Sequence, residues 1–475
     1  MTESFPDCIT EKKKLAIPFP GGFTLASGEK LFHIDIAYET WGTLNAQKDN
    51  AILIIHALTG DAHAAGRYNG DDEEPGWWDH LIGPGKSIDT EKYFVICSNN
   101  LGGCKGSTGP LSINPVSGRI FGADFPEINI TDMVNVQKML LDFFGIARLH
   151  AVIGGSMGGM IALEWSLRFP SMVKKCIPVA AALQLSPQAL AFDIVGRDLI
   201  TEDQHWHKGA YHEYNEIPQN GLAQARKIGH ITYLSSKTMS NKFGREIRQN
   251  WIRKDRHKFH TDFQVESYLE HQGNKFTGRF DANSYLYITL AMDKFDLEKN
   301  ACSRFAAGQS EFLILSITSD WLFPPEQQLE ITRILLKARR HVSYVSIESD
   351  YGHDAFLIEN ESLSKSISAF LNADCTAGKE IPQCRKCTGT LAADDYGRIS
   401  SFINSGEKVI DIGCGDGSML CRLRLEKNIS PLGIDISIEK IIECLKRGIP
   451  CLHLDADIGL DVIANDAFDT AVTHN

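Results

Sequence analysis

The feature that most limits what this chain can fold into is Gly154-Gly155-Ser156-Met157-Gly158, a G-x-S-x-G pentapeptide. It lies directly after Leu149-His150-Ala151-Val152-Ile153, an apolar run of strand length, and before an apolar helical stretch from Met160 to Arg168. A strand can turn this sharply into a helix only where neighbouring side chains are absent, and such a turn lifts a serine hydroxyl off the edge of a sheet. The pentapeptide in this setting predicts a reactive serine in an α/β fold.

The rest of the sequence repeats the same texture. Ala51–Ile55, Lys92–Cys97, Glu311–Ile317 and Val342–Ile347 read as buried strands, and Ile130–Phe144 reads as an amphipathic helix with Met133, Val136, Met139, Leu140 and Phe143 on one face. Strands apolar on both faces, alternating with helices, predict a parallel sheet covered by helices. From about 183 to 300 the strand-like runs stop and the chain turns helical, polar and rich in His, Gln and Arg, which reads as an inserted helical cap. Turn formers and charge over 372–395 suggest a linker between a first unit, 1–371, and a second, 396–475, in which a new strand pattern begins at Glu407.

A serine hydroxyl is a weak nucleophile until a base takes its proton, and in this kind of fold the partners follow in the order serine, acid, histidine. Asp320 ends the strand-like Ile314–Ser319, and His353 sits in the turn Asp350-Tyr351-Gly352-His353-Asp354 after Val342–Ile347. Catalytic groups of α/β folds gather at the C-terminal ends of strands. Alone, either residue reads as a loop polar group or a helix cap. Their order and placement make Ser156, Asp320 and His353 the expected triad. Acyl transfer also needs two backbone donors for an oxyanion, and Met157, after the serine, and Leu58, after the strand from Ala51, fit that need.

Composition excludes some alternatives. With 48 basic against 60 acidic residues the formal charge is -12, which argues against binding nucleic acid or an anionic membrane surface. No run approaches the roughly 18 apolar residues of a membrane span, and the start of the chain has no apolar signal core, so a cytoplasmic protein is expected. The twelve cysteines are scattered, and disulfides are not expected. Cys384 and Cys387 make one CxxC near Cys375, but no second half-site follows, so no metal is expected.

Six separated segments together resemble the homoserine O-acetyltransferase family over about Ile17 to Leu371. They are His56-Ala57-Leu58-Thr59-Gly60-Asp61, Asn99–Gly103, Gly106–Pro110, Gly154–Gly159, Ser319–Pro325 and Gly352–Leu357. The resemblance implies an α/β-hydrolase fold with a helical cap, a homodimer formed through that cap, and acetyl-CoA as co-substrate with no bound cofactor. It implies that Ser156 takes acetyl from acetyl-CoA and passes it to L-homoserine, in methionine biosynthesis. Arg226 would fork to the homoserine carboxylate, Asp354 would help hold the amino acid and Tyr233 would line the pocket. From the residues alone, an arginine in so charged a helix is more simply a surface ion pair. Relatives that use succinyl-CoA tend to carry an arginine two residues after the triad aspartate. Here that residue is Leu322, which offers a succinyl carboxylate no counter-charge and so favours acetyl.

In the second unit, Val409–Gly417 is a strand entering a glycine-rich turn, and Asp435 ends the next strand about 20 residues on. Gly413, Gly415, Gly417 and Asp435 resemble the S-adenosylmethionine site of a Rossmann-like methyltransferase module, nearest to the MetW family, which often accompanies the acyltransferase. The later strands of such a module are missing. An open sheet edge is therefore expected, and methyl transfer by this chain is not. Three other readings stay open: a homoserine O-succinyltransferase, an esterase on the same triad, and a regulatory scaffold acting through the second unit.

Overall fold

The computed structural model describes residues 9–69, 74–248, 259, 261–373 and 393–473. The chain opens with β1 (Lys13–Thr24) and β2 (Lys30–Trp41), an antiparallel hairpin. It continues through β3 (Ala51–Ile55), β4 (Phe94–Ser98), α1 (Ile130–Phe144), β5 (Leu149–Gly155), α2 (Met157–Arg168) and β6 (Val173–Val179). The cap follows as α3 (Pro187–Thr201), α4 (Gln219–Tyr233), α5 (Ser236–Phe243), α6 (Gln264–Thr277), α7 (Ala282–Asp293) and α8 (Ala301–Ala306). The chain then returns through β7 (Glu311–Ile317), α9 (Pro325–Lys337), β8 (Val342–Ile347) and α10 (Glu361–Asn372).

The second stretch contains α11 (Ala393–Phe402), β9 (Lys408–Ile412), α12 (Ser418–Lys427), β10 (Ser430–Asp435), α13 (Ile438–Lys446), β11 (Cys451–His453) and β12 (Thr470–Thr473). Of the linker expected at 372–395, residues 374–392 lie outside the described residues, and so do Cys375, Cys384 and Cys387.

These twelve strands form one sheet, in the order β1-β2-β4-β3-β5-β6-β7-β8-β11-β10-β9-β12, and Ile82–Gly83 pairs with Ile88–Asp89 in a separate small one. The pairings of β1 with β2 and of β2 with β4 are antiparallel, and every pairing from β4 to β12 is parallel. All five residues of β3 are buried because helices cover both faces. Its side chains alternate accordingly: Leu53 and Ile55 feed one core with Val152 and Met160, while Ile52 and Ile54 feed the other with Trp78 and Ile153. Beside these strands, α1 is fixed at its start by a capping box between Asn129 and Asp132 and at its end by Gly145 in the left-handed region, φ 67°.

One element differs from its sequence reading: α2 begins at Met157 rather than Met160, so the glycines form the helix's first turn rather than a separate loop. The second stretch joins the first through β11, which pairs with β8 through Tyr344 and Leu452, and β12 is left at the end of the sheet, paired on one side only among the described residues, in line with the open edge expected. Cys451 N donates to Ser343 Oγ at 3.2 Å, and His453 Nδ1 meets Ser346 O at 3.0 Å. Nearby, Lys175 of β6 is wholly buried and donates to Phe370 O at 2.7 Å, to Leu371 O at 3.1 Å and to Ala373 O, closing the C-terminal end of α10. Among the described residues, no helix is long and apolar enough to cross a membrane.

Candidate active site

Ser156 stands at the junction of β5 and α2 with φ 56° and ψ -126°, a conformation rare for a residue with a side chain. The backbone is held there by Ser156 N donating to Val179 O at 2.9 Å. The glycines make the junction sterically possible. A Cβ on Gly154 would lie 2.3 Å from Gly158 O, one on Gly155 2.4 Å from the Phe356 ring, and one on Gly158 2.2 Å from Ile55 O.

The three residues expected to form a triad come together. His353 Nε2 meets Ser156 Oγ at 2.7 Å, and His353 Nδ1 meets Asp320 Oδ2 at 2.6 Å. The other oxygen of Asp320 accepts from Leu322 N at 3.0 Å and Phe323 N at 2.9 Å, so the carboxylate is fixed on both sides. The Phe323 ring stacks on the imidazole at 5.0 Å. All three residues are buried, which strengthens their mutual electrostatics. Burial alone would depress the basicity of His353, but the Asp320 carboxylate outweighs it and holds the imidazole above its ordinary value. This is a hydroxyl, a base and an orienting acid in the relation that nucleophilic acyl chemistry needs.

Leu58 and Met157 flank the serine. Met157 opens α2, so its N–H is one of the first-turn donors with no acceptor inside the helix. Leu58 follows β3 and borders the space around Ser156. Its loop rests on His56, whose Nε2 accepts from Asn100 N at 3.0 Å while Nδ1 meets Ala57 O at 2.8 Å. That pattern puts the proton on Nδ1, and burial keeps the ring from charging. His56 is thus a buttress of the loop.

Two spaces open at Ser156. The larger, about 440 Å³, is lined by Thr59, Asp61, Trp77, Arg226, Arg279, His353 and Asp354 among others. Arg226 Nη1 donates to Thr59 Oγ1 at 3.3 Å, and its Cζ lies 5.4 Å from the Tyr233 ring centroid. Burial raises Asp354 above the usual carboxylate range, with His353 and Arg226 acting against that rise. The smaller space, about 40 Å³, lies between α3, α4 and α7 and is lined by Leu58, Leu322, Phe323, Tyr233 and Asp193. Burial and the neighbouring Asp293 push Asp193 up to about 8. Arg226, Asp354, Tyr233 and Leu322 therefore all reach the serine's surroundings. Thr59, from the His56–Asp61 segment, does so as well, and so do Arg279 and Asp193, which no sequence motif marked.

The remaining candidates lie elsewhere in the sheet. Gly413, Gly415 and Gly417 have φ of 80°, 56° and 71°, in the region glycine alone enters freely. Asp435 accepts from Gly415 N and Ser437 N, each at 2.8 Å, so both of its oxygens are engaged by the turn itself. Among the described residues no cluster of three or more His, Cys, Asp or Glu side chains is placed to hold a metal ion.

Comparison with known proteins supplies the context for this geometry. Residues 50–359 match the alpha/beta hydrolase fold family, and residues 393–475 match the family of the methionine biosynthesis protein MetW. The homoserine O-acetyltransferase of Methanohalobium evestigatum is 54% identical over 385 residues, covering 80% of this chain and 77% of that protein. The crystal structure of homoserine O-acetyltransferase from Bacillus anthracis superposes with a TM-score of 0.72 at 31% identity, covering 78% of this chain and all 100% of that one. Esterase E22 superposes with a TM-score of 0.70, also at 31% identity, over 76% of this chain and 100% of its own.

Proposed function

We propose, for a chain that belongs to the homoserine O-acetyltransferase family within the alpha/beta hydrolase fold, an acyl transfer in two steps through Ser156. The overall reaction moves the acetyl group of acetyl-CoA to the hydroxyl of L-homoserine, a step of methionine biosynthesis. In the first step His353 takes the Ser156 proton as Oγ attacks the thioester carbonyl. The tetrahedral oxyanion rests on the N–H groups of Met157 and Leu58. The carbon–sulfur bond breaks, and CoA leaves with the proton that His353 returns to sulfur. In the second step His353 takes the proton of the homoserine hydroxyl, whose oxygen attacks the acetyl-serine, and gives it back to Ser156 Oγ as the ester bond breaks. Asp320 keeps the imidazole oriented and stabilises its charged form.

The observation that carries this reading is the unbroken run from Asp320 to His353 to Ser156, at 2.6 and 2.7 Å, beside a cavity that offers both Arg226 and Asp354. A zwitterionic acceptor needs one partner of each sign, and this pairing suits one. Tyr233 adds an aromatic wall. For the donor, Leu322 borders the small space at the serine, where a methyl group is welcome and a succinyl carboxylate would find no cation on that wall. Exposed Ile194 and Val195 on α3 and Ile231 on α4 support a homodimer formed through the cap.

CoA release by the purified chain, followed with a thiol reagent, tests the proposal. Sustained release from acetyl-CoA that requires homoserine, beyond one CoA per enzyme without it, is the expected result. Preference for succinyl-CoA would leave the mechanism and change the donor. The likeness to esterase E22 favours one second reading, ester hydrolysis, which would show as release independent of homoserine.

For residues 393–475, the match to the MetW family and the parallel β9, β10 and β12 with α12 and α13 support a Rossmann-like module. Gly413, Gly415 and Gly417 would face S-adenosylmethionine there, and Asp435 would have to share its oxygens between the turn and a ribose.

A further inference from the structure

The larger cavity at Ser156 holds two guanidiniums, whereas the acceptor chemistry described above uses one. Arg226 comes from α4, and Arg279 comes from the turn between α6 and α7. Both are tied to the same residue: Arg226 Nη1 donates to Thr59 Oγ1 at 3.3 Å, and Arg279 Nη1 donates to Thr59 O at 3.4 Å. Both also lie against Phe276, with Cζ atoms 4.7 Å and 5.6 Å from the ring centroid. Phe276 is 1% exposed and cannot give way, so both side chains pack against a fixed ring.

Like charges held this close oppose each other, and Arg279 is less basic than usual because of burial and the nearby Arg226. Among the described residues neither guanidinium has a carboxylate within 4.0 Å, although Asp61, Glu74 and Asp354 border the same cavity. Two cations without a direct ion-pair partner, facing an open space that Asp61 and Asp354 also border, are stabilised further by an anion that reaches both. A carboxylate has two oxygens, each able to accept from a planar N–H fork, so it can bridge the pair.

We propose that Arg226 and Arg279 form one clamp for the acceptor's carboxylate, which makes Arg279 a specificity-determining residue. The proposal rests on the acyl-transfer reading above. It adds a geometric point: the clamp is anchored on Thr59, next to Leu58, so a carboxylate gripped there is aligned to the loop that faces the reacting carbonyl. Binding the acceptor's acid group thereby positions its hydroxyl relative to Ser156.

The test compares two acceptors, homoserine and 3-aminopropan-1-ol, which keeps the hydroxyl and ammonium and lacks the carboxylate. CoA release is measured for the wild-type enzyme, Arg279→Gln and Arg279→Lys, together with the burst of CoA seen without acceptor. Arg279→Gln is expected to lower kcat/KM for homoserine about ten- to hundredfold. The value for 3-aminopropan-1-ol should stay within about threefold, as for a substitution that removes no contact. Arg279→Lys should recover part of the homoserine activity, because it restores the charge and not the fork. An equal loss with both acceptors would overturn the clamp. So would a higher KM for acetyl-CoA with homoserine dependence unchanged, since Arg279 would then serve a CoA phosphate. A wild-type enzyme that gives no burst would instead remove the acyl-serine step, and the clamp with it.

Discussion

Asp320 touches no reacting atom, yet its carboxylate sets what His353 can do. In Asp320→Asn the side chain keeps its size but cannot stabilise an imidazolium, so kcat is expected to fall on the order of 10³–10⁴-fold in steady-state assays of CoA release. The pH dependence gives a second check. His353 must be neutral to accept a proton, and Asp320 raises its pKa. The acidic limb of kcat/KM should therefore climb with pH through a midpoint above the ordinary histidine value. Burial would remain in Asp320→Asn while the raising charge is gone, so that midpoint should move down. That Ser156, Asp320 and His353 come together was legible from sequence because each ends a strand or sits in the turn after one, in a fixed order. Arg226 was visible only through resemblance. Thr59 lay in a quoted segment without a role, and Phe276 and Arg279 were not visible, since their contacts arise when the cap meets the loop after β3, and no local pattern records that approach.

At the scale of elements, the serine's placement depends on how closely α2 approaches β3. A methyl group on Gly158 would sit 2.2 Å from the Ile55 carbonyl oxygen, an atom of a central strand that cannot shift. Gly158→Ala should lower unfolding stability by about 1–3 kcal/mol or more, read from denaturant midpoints, and should reduce acyl-enzyme formation in whatever folds. The start of α2 was misplaced in the sequence reading for the same reason: Gly158 and Gly159 have no side chains, so the first turn has no hydrophobic period to read. The β1–β2 hairpin was also unanticipated. Its first strand is half exposed and interrupted by Pro18, Pro20, Gly21 and Gly22, which read as loop formers. By contrast β3 and β4, buried along their whole length, were plain from their apolar runs.

Over the whole molecule, the twelve-stranded sheet joins two stretches that the sequence separates with a linker. Their adjacency could not be read in advance, because Tyr344 and Leu452 are more than a hundred positions apart and neither belongs to a motif. The solved Bacillus anthracis chain is matched along its full length by 78% of this one, so about a fifth of this chain lies outside that architecture. The parallel pairing also puts the glycine-rich turn after β9 on the same rim of the sheet as the turns that carry Asp320 and His353. In strand register the seam between the two parts is short, although Cys451 and His453 also bond to Ser343 and Ser346 across it and both hydrophobic cores continue through it. β8 matches β7 at six positions and β10 matches β9 at five, whereas β8 meets β11 at one. In native-state hydrogen exchange, amides of β9, β10 and β12 should thus take up deuterium as one group, with a smaller opening free energy than those of β3, β5 and β6. A common rate for all of them would mean that the seam, despite its short strand register, transmits the full cooperativity of the first part into the second.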